Sequence, residues 1–484
     1  MKAVVLAAGE GTRLRPLTFL RPKPMIPLGP EPAIHYLLSQ LAQEGFDEIV
    51  MVVGYMSRQI MDYLGDGSKM GLRISYAVKP EEFRCGTAGS LKLAEHLLDE
   101  PFLVAQADTL SEIPLREAMT FHRHKGAQAT IVLTTVENPG EFGVTILDQN
   151  DNITEFQEKP GHRRARSNLV STGFYILDPE ALDHVQEASW DFAKDLFPHL
   201  LNMQDKICGF VSNSFWVDIG SLEGYLRGVR WVLDKTALDA QQARMIGRSA
   251  AGQPVLNGLS SAEKDPRFGD RVLIEAGATI DDGARIGEYC VVKRNARVLA
   301  GSVLDRSVIL ERATVGQNCR VVHSVISQSA TLQANVTVEG SMVGPGSIIG
   351  TGATLLEGSR IWPNVQIRAG ETVNGLMIAP VEKGFYFYTR SGEYTGVMAF
   401  SIKSLLDGLE KVPIESIEFH ANRRDFEKWT RSVLASRELA EAIEDIRREA
   451  ITGEELRKRL IEVTNQWAEY VSSPDAVVAT AEPV

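Results

Sequence analysis

The chain has 484 residues, 44% of them hydrophobic and 24% charged, and at about 150 residues per domain it holds roughly three domains, each able to bury a core. No apolar run approaches the ~18–20 residues of a membrane-spanning helix, and the mean hydropathy of -0.09 reads against an integral membrane protein. The 51 basic and 63 acidic residues leave a net charge of -12, which repels polyanions such as nucleic acid, so any phosphate site has to be locally basic.

Met1 and Lys2 lead into a short Ala/Val/Leu run that ends at Gly9-Glu10-Gly11, without the small-residue cleavage pattern of a secretory signal. Cys85, Cys208, Cys290 and Cys319 stand far apart, with no paired metal-ligand spacing. A cytoplasmic chain with reduced thiols is expected. Lys2 to Ala8 reads as a buried strand. Ala33 to Ala42 puts Ile34, Leu37, Leu38 and Leu41 on one helical face, and Glu48 to Val53 reads as the second strand. A helix over Arg58–Leu64, a strand over Arg73–Val78, a helical stretch over Thr87–Leu98 and a strand over Phe102–Ala107 follow. Alternation of this kind through residues 1–240 predicts an α/β domain around a parallel sheet. The strand ends at Gly9 and Asp108 should share one edge, where open sheets bind ligands.

From Gln241 periodicity is lost and Gly, Ser and Ala accumulate, the composition of a linker over 241–268. Ile274, Ile280, Ile286, Val292 and Val298 then recur every six residues, continued by Leu304 and Leu310. The spacing returns at Ile349, Leu355, Ile361, Ile367 and Val373, with shifted registers at Val315 and Val321 and at Leu332 and Val338. A hexapeptide period over 269–378 predicts a parallel β-helix, each inward aliphatic stacked on its equivalent in the next coil. Phe385-Tyr386-Phe387-Tyr388 opens a small, mainly helical region over 379–472, in which Arg437 to Tyr470 reads as two helices broken near Thr452-Gly453. A disordered tail over 473–484 is expected.

The strongest chemical signal is Leu6-Ala7-Ala8-Gly9-Glu10-Gly11-Thr12-Arg13-Leu14-Arg15-Pro16-Leu17-Thr18, followed by Arg21-Pro22-Lys23-Pro24. Glycines after a buried strand let backbone N–H groups approach phosphate oxygens, and Arg13 and Lys23 add the positive charge that a polyphosphate demands. No Gly-Lys-Ser/Thr follows at Walker spacing, and Leu14 stands where a dinucleotide fingerprint has its third glycine. A redox Rossmann domain is therefore not expected.

This string resembles the signature of the sugar-1-phosphate nucleotidyltransferases, Gly-x-Gly-Thr-Arg-Leu-x-Pro-Leu-Thr followed by Pro-Lys-Pro. The likeness continues through Gly86-Thr87-Ala88-Gly89, Asp108, Glu141-Phe142-Gly143-Val144, Glu155-Phe156-Gln157-Glu158-Lys159-Pro160, Ser171-Thr172-Gly173-Phe174-Tyr175 and Phe215-Trp216-Val217-Asp218-Ile219-Gly220. It covers the whole first domain and leans toward the mannose-1-phosphate guanylyltransferase branch. The resemblance implies an α/β Rossmann-like domain with a mixed, mainly parallel sheet, followed by a left-handed parallel β-helix. It also implies Mg²⁺-dependent transfer from a nucleoside triphosphate to a sugar 1-phosphate, with GTP and mannose 1-phosphate giving GDP-mannose. Asp108 and Asp218 would hold the Mg²⁺, Arg13 the departing phosphates, and Lys23 the α-phosphate. Leu6, Ala8, Gly9, Gly11 and Thr12 would line the nucleotide cradle, and Gly86 and Thr87 would face the base. Lys159 would hold the sugar's phosphate and Glu158 its hydroxyls, with Gly143 and Thr172 completing the pocket through backbone and hydroxyl contacts. A homo-oligomer built through the β-helix or the catalytic domain is expected, with neither nucleic acid nor membrane as partner.

Gln106-Ala107-Asp108 stands where many relatives carry Asn-Gly-Asp, and Ser171-Thr172-Gly173 where Asn-Ala-Gly is frequent, so glucose 1-phosphate with UTP, dTTP or ATP stays open. A non-catalytic regulatory subunit would have no need of the intact metal pair. β-Helices also house acyltransferases with a histidine base, and His323 is the one histidine between Val272 and Val373. The region around Glu418–Trp429 is similar to an uncharacterised accessory domain fused to carbohydrate enzymes. There His420, Arg423, Arg424 and Asp425 read either as an anion site or as a solvated helix start.

Overall fold

A computed structural model describes residues 1–80, 85–158, 165–238, 267–373, 378–379, 383–434 and 437–472. The chain forms two compact units, one of Met1–Gly11 with Arg21–Gly228, the other of Thr12–Leu20 with the described chain from Val229 on. The expected linker over 241–268, save its last two residues, and the expected tail over 473–484 lie outside the described residues.

The first unit is built on a mixed sheet. In chain order its strands are β1 (Lys2–Ala7), β2 (Glu48–Val53), β3 (Arg73–Val78), β4 (Phe102–Gln106), β6 (Ala129–Thr135), β7 (Gly143–Leu147), β8 (Ile153–Glu158), β9 (Leu169–Leu177) and β10 (Ile207–Val211). β5 (Thr109–Ser111) and β11 (Trp216–Asp218) form a separate two-stranded ladder. The main order is β8-β7-β9-β4-β1-β2-β3, with β6 pairing both β9 and β10. β4, β1, β2 and β3 are mutually parallel, whereas β9 runs antiparallel to β4. Side chains alternate between two cores. Ala3, Val5 and Ala7 enter one, Val4 and Leu6 the other, and Ile49, Met51 and Val53 part from Val50 and Val52 in the same way. Strands covered on both faces are apolar at nearly every position, and each aliphatic side chain so buried contributes about 1.5–3 kcal/mol. Because Ala3 to Leu6 of β1 lie beside Leu103 to Gln106 of β4, both strands open at the same edge, as the sequence predicts.

In the second unit three six-stranded parallel sheets coil into a β-helix. Ile274, Val292, Ile309, Ile326, Val343 and Ile361 stack through one sheet into a continuous aliphatic core. Ile274 and Val292 lie 18 residues apart but Val292 and Ile309 only 17, so the stacked residue is Ile309 and not the expected Leu310. Buried serines carry the shortened coils: Ser324 N–H donates to Ser307 Oγ and Ser341 N–H to Ser324 Oγ, each at 3.1 Å, so interior amides stay paired. His323 stands exposed on a turn with φ of 46° beside Arg306.

A hairpin of Phe385–Arg390 and Glu393–Ala399 leads into helices Ile402–Lys411, Ile414–Asn422, Asp425–Ser432, Arg437–Arg448 and Gly453–Ser472. Phe385, Phe387, Phe426 and Trp429 sit in their shared core, and Trp362 packs against both this core and that of the β-helix. No helix among the described residues is long and apolar enough to cross a membrane.

Candidate active site

β4 ends at Gln106, and the chain passes through Ala107 and Asp108 into β5. β5 pairs antiparallel with β11 in the register Thr109↔Asp218, Leu110↔Val217 and Ser111↔Trp216. Ile219 N–H donates to the Asp108 carbonyl at 3.0 Å. This ladder brings the Asp108 and Asp218 carboxylates to one spot at the sheet edge, with side-chain exposures of 27% and 22%. Lys23 Nζ joins them, donating to Asp218 Oδ1 at 3.1 Å and, in a closer contact, to Asp108 Oδ2. Lys23 is set there by a tight turn between Pro22 and Pro24, in which Met25 N–H donates to Pro22 O at 2.8 Å and the fixed proline φ limits drift. A buried ammonium costs several kcal/mol, on the order of the desolvation penalty, unless it is paired, and here two carboxylates meet it.

Asp108 and Asp218 both meet the ammonium of Lys23 and stay partly open to solvent. Among the described residues no group of three or more His, Cys, Asp or Glu could hold a metal. Mg²⁺ needs no all-protein cage, since it characteristically takes one or two carboxylates and completes its shell with phosphate oxygens and water. Asp108 and Asp218 fit that requirement.

β1 feeds the glycine turn. The carbonyls of Leu6 and Ala8 accept from Ala107 N–H at 3.1 Å and Tyr55 N–H at 3.3 Å, which pins the turn to its neighbours. Gly11 has φ of 66°, a left-handed conformation that glycine adopts without penalty. Among the described residues nothing lies within 4 Å of where a Cβ on Gly9 would stand, so their packing does not demand glycine there. Thr12 and Arg13 begin the Thr12–Leu20 loop, which belongs to the second unit. In that unit Arg360 donates to the Arg13 carbonyl, and the Phe19 and Trp362 rings lie 4.4 Å apart. Burial first, then the Arg13 charge, pulls the Arg360 pKa down to about 10.

Gly86 and Thr87 have a structural duty beside any contact with a base. Gly86 N–H donates to Ala188 O and Gly89 N–H to Trp190 O, both at 2.9 Å. A Cβ on Gly86 would come within 2.3 Å of Trp190 O, and one on Gly89 within 1.7 Å of Ala188 O. Thr87 donates to Asp191 Oδ1 through its N–H at 2.8 Å and its hydroxyl at 3.0 Å. Asp191 escapes sequence reasoning because its partner lies 104 positions away.

Gly143 opens β7 directly opposite Glu158 at the end of β8, so these two expected sugar-pocket residues are neighbours. Lys159 lies outside the described residues. Thr172 is 1% exposed, and its hydroxyl donates to Val132 O at 2.8 Å, so it ties β9 to β6. The physical reason is a bulge between Ser171 and Tyr175, where Gly173 takes φ of 82° against Gln106. The Thr172 carbonyl accepts from Trp216 Nε1 at 2.8 Å, which links this bulge to the strand that carries Asp218.

Residues 2–235 match the Nucleotidyl transferase family, and residues 268–383 match the GMPPB C-terminal domain. "Probable mannose-1-phosphate guanylyltransferase 3" of rice is 32% identical over 332 residues, which span 67% of this chain and 90% of the relative. The chain belongs to the nucleotidyl transferase family. It is a sugar-1-phosphate nucleotidyltransferase. "Mannose-1-phosphate guanylyltransferase" of Mycobacterium tuberculosis is 34% identical over 76% of this nucleotidyltransferase and 96% of the relative. "UTP--glucose-1-phosphate uridylyltransferase" of Synechocystis sp. is 33% identical over 67% and 87%.

Proposed function

We propose that this nucleotidyltransferase joins GTP and mannose 1-phosphate into GDP-mannose, with Mg²⁺ held by Asp108 and Asp218. The observation that carries the chemistry is the meeting of those two acids with Lys23 at the carboxyl edge of β4. An oxygen of mannose 1-phosphate bonds to the α-phosphorus of GTP as the bond from that phosphorus to the bridging oxygen breaks, and the electron pair leaves with pyrophosphate. The attacking phosphate has a second pKa of about 6 and is already largely ionised at neutral pH, so no general base is needed. Alignment and charge neutralisation are. Bound Mg²⁺ supplies part of that neutralisation. Lys23 holds a fixed donor for charge developing at the α-phosphate, and Arg13 binds the phosphates that depart. The backbone of Leu6, Ala8, Gly9, Gly11 and Thr12 cradles the triphosphate, and the open space at Gly9 supports this, since a ligand close to the backbone explains a glycine that packing does not. Gly86 and Thr87 present the pocket for the base. Gly143, Glu158 and Lys159 form the sugar side, where the Gly143–Glu158 pairing supports a shared pocket.

Mannose and guanine are favoured by the names of the rice and mycobacterial relatives, aligned over 90% and 96% of their lengths. Glucose 1-phosphate with UTP is the second reading, favoured by the Synechocystis relative. In this proposal residues 1–240 act as the catalytic domain in the cytoplasm, with 269–378 and 379–472 as β-helix and accessory domains, and the exposed flanks of the β-helix serve homo-oligomer assembly. The test is pyrophosphate release from five nucleoside triphosphates, each with mannose, glucose, galactose and N-acetylglucosamine 1-phosphates, with and without Mg²⁺. Preference for GTP and mannose 1-phosphate is expected; preference for UTP and glucose 1-phosphate would replace this reading with the second.

A further inference from the structure

The accessory region holds an open groove of about 610 Å³, lined by none of the residues assigned above to the nucleotidyl transfer. One side is aromatic. Alternation along Phe385–Arg390 buries Phe385 and Phe387 and leaves Tyr386 and Tyr388 half-buried on the other face. Tyr394 of the facing strand stands 5.8 Å from the Tyr386 ring and 5.5 Å from that of Tyr388. The other side is cationic. The Arg423 guanidinium lies 5.0 Å over the Phe419 ring, and the Arg423 and Lys428 side chains are 57% and 68% exposed.

Among the described residues one acid, Asp425, lines the groove, and its position is fixed. Arg423 Nε donates to Asp425 Oδ2 at 3.0 Å, and Lys428 Nζ lies 3.9 Å from Oδ1. Buried His420 accepts the Tyr388 N–H on Nε2 at 2.8 Å, so its proton sits on Nδ1 and is donated to Asp425 at 2.9 Å. The imidazole is thus neutral, and the groove sets two full cations against one carboxylate in a chain whose net charge is -12. Ser391 adds a hydroxyl, whereas that of Ser432 donates to the Lys428 carbonyl at 2.6 Å.

We propose that this groove binds a small phosphate-bearing ring compound, a sugar phosphate or a nucleotide, with its phosphate on Arg423 and Lys428 and its ring against Tyr386 and Tyr388. Asp425 engages only Nε of Arg423; among the described residues the Nη atoms make no hydrogen bond, and a guanidinium stacked on an aromatic ring offers that edge to phosphate oxygens. A phosphate brings enough charge and acceptors for both cations and the Ser391 hydroxyl, which a carboxylate does not. Tyrosine faces take either a base by stacking or the apolar face of a sugar ring. The site does not depend on which nucleotide and sugar Asp108 and Asp218 handle.

Equilibrium dialysis of the full chain tests this with GTP, GDP-mannose, mannose 1-phosphate, mannose 6-phosphate, inorganic phosphate and mannose, each up to about 1 mM. At least one ring phosphate should bind about tenfold or more weakly to the Arg423→Gln/Lys428→Gln double variant and also more weakly to Tyr388→Leu, with pyrophosphate release unchanged in both. Response of the nucleotides places a base on the tyrosines; response of the sugar phosphates places a sugar there. Lys428→Gln alone serves as a second variant should the double variant lose its fold. The proposal is overturned if the cation variants change the binding of no compound in the panel, or if inorganic phosphate binds as tightly as every ring phosphate. Lys23→Met run in parallel separates the two sites: unchanged nucleotide binding and turnover in that variant counts against the catalytic reading and leaves the groove untouched.

Discussion

Asp108 and Asp218 share the ammonium of Lys23 although one follows a strand of the main sheet and the other ends a short ladder formed 110 residues later. Each acid reaches the spot through backbone pairing, so each can be altered without dismantling the sheet.

Asp108→Asn and Asp218→Asn should each lower pyrophosphate release by at least about 10²-fold, since loss of one preorganised charge partner costs on the order of 3 kcal/mol in barrier. One acid still pairs with Lys23 in each variant, so the unfolding temperature should stay within roughly 5 °C. Initial rates and thermal melts check both halves; normal turnover in either variant removes that acid from the mechanism.

Lys23→Met should reduce kcat by roughly 10²–10³-fold with a much smaller change in KM, the signature of an interaction made chiefly in the transition state. A defect confined to KM would instead make Lys23 a ground-state binding residue.

Gly9→Ala and Gly89→Ala should separate ligand binding from packing. The first introduces a methyl into open space and should leave the melting temperature unchanged while weakening nucleoside triphosphate binding. The second drives a Cβ into the Ala188 carbonyl and should destabilise by about 1–3 kcal/mol or more, as overpacking does. Calorimetric melts and nucleotide titrations of both variants decide it.

Arg360→Met should loosen the Thr12–Leu20 loop by removing the donor to the Arg13 carbonyl. Faster proteolysis within that loop and a drop of roughly tenfold in kcat/KM for the nucleoside triphosphate are expected, because small misplacements of a phosphate-binding group are costly. Equal proteolysis rates in variant and parent would show that Arg360 does not hold the loop.

His420 titrates below its ordinary 6.5, mainly through burial, which outweighs Asp425 and is aided by Arg423. The unfolded chain therefore binds more protons than the folded one as pH falls through 6.5, so stability rises with pH across that window and is lost on acidification below it. His420→Gln should flatten this slope in denaturant titrations between about pH 5 and 7; an unaltered slope would assign the pH dependence to other groups.

Much of the architecture was legible because it rests on short-range pattern. The strands at Glu48–Val53 and Arg73–Val78 appear where their apolar runs place them, and the period of six marks the β-helix coils until a coil shortens by one residue and Ile309 takes the place of Leu310. The glycine turn after the first strand was readable for the same reason. Thr172 was not, since a hydroxyl beside a bulge can face either side of the strand, and packing against Val132 settled which.

What the amino-acid order determined alone is the α/β domain, the coil repeat, the helical end and the glycine turn, all of which depend on spacing between near neighbours. Only the tertiary structure decided that Lys23 meets acids 85 and 195 positions away, that Thr87 leans on Asp191, and that tyrosines and cations of the accessory region line one groove. Those contacts come from strand pairing and helix packing between distant segments, and a local pattern states that a strand exists without stating which strand lies beside it.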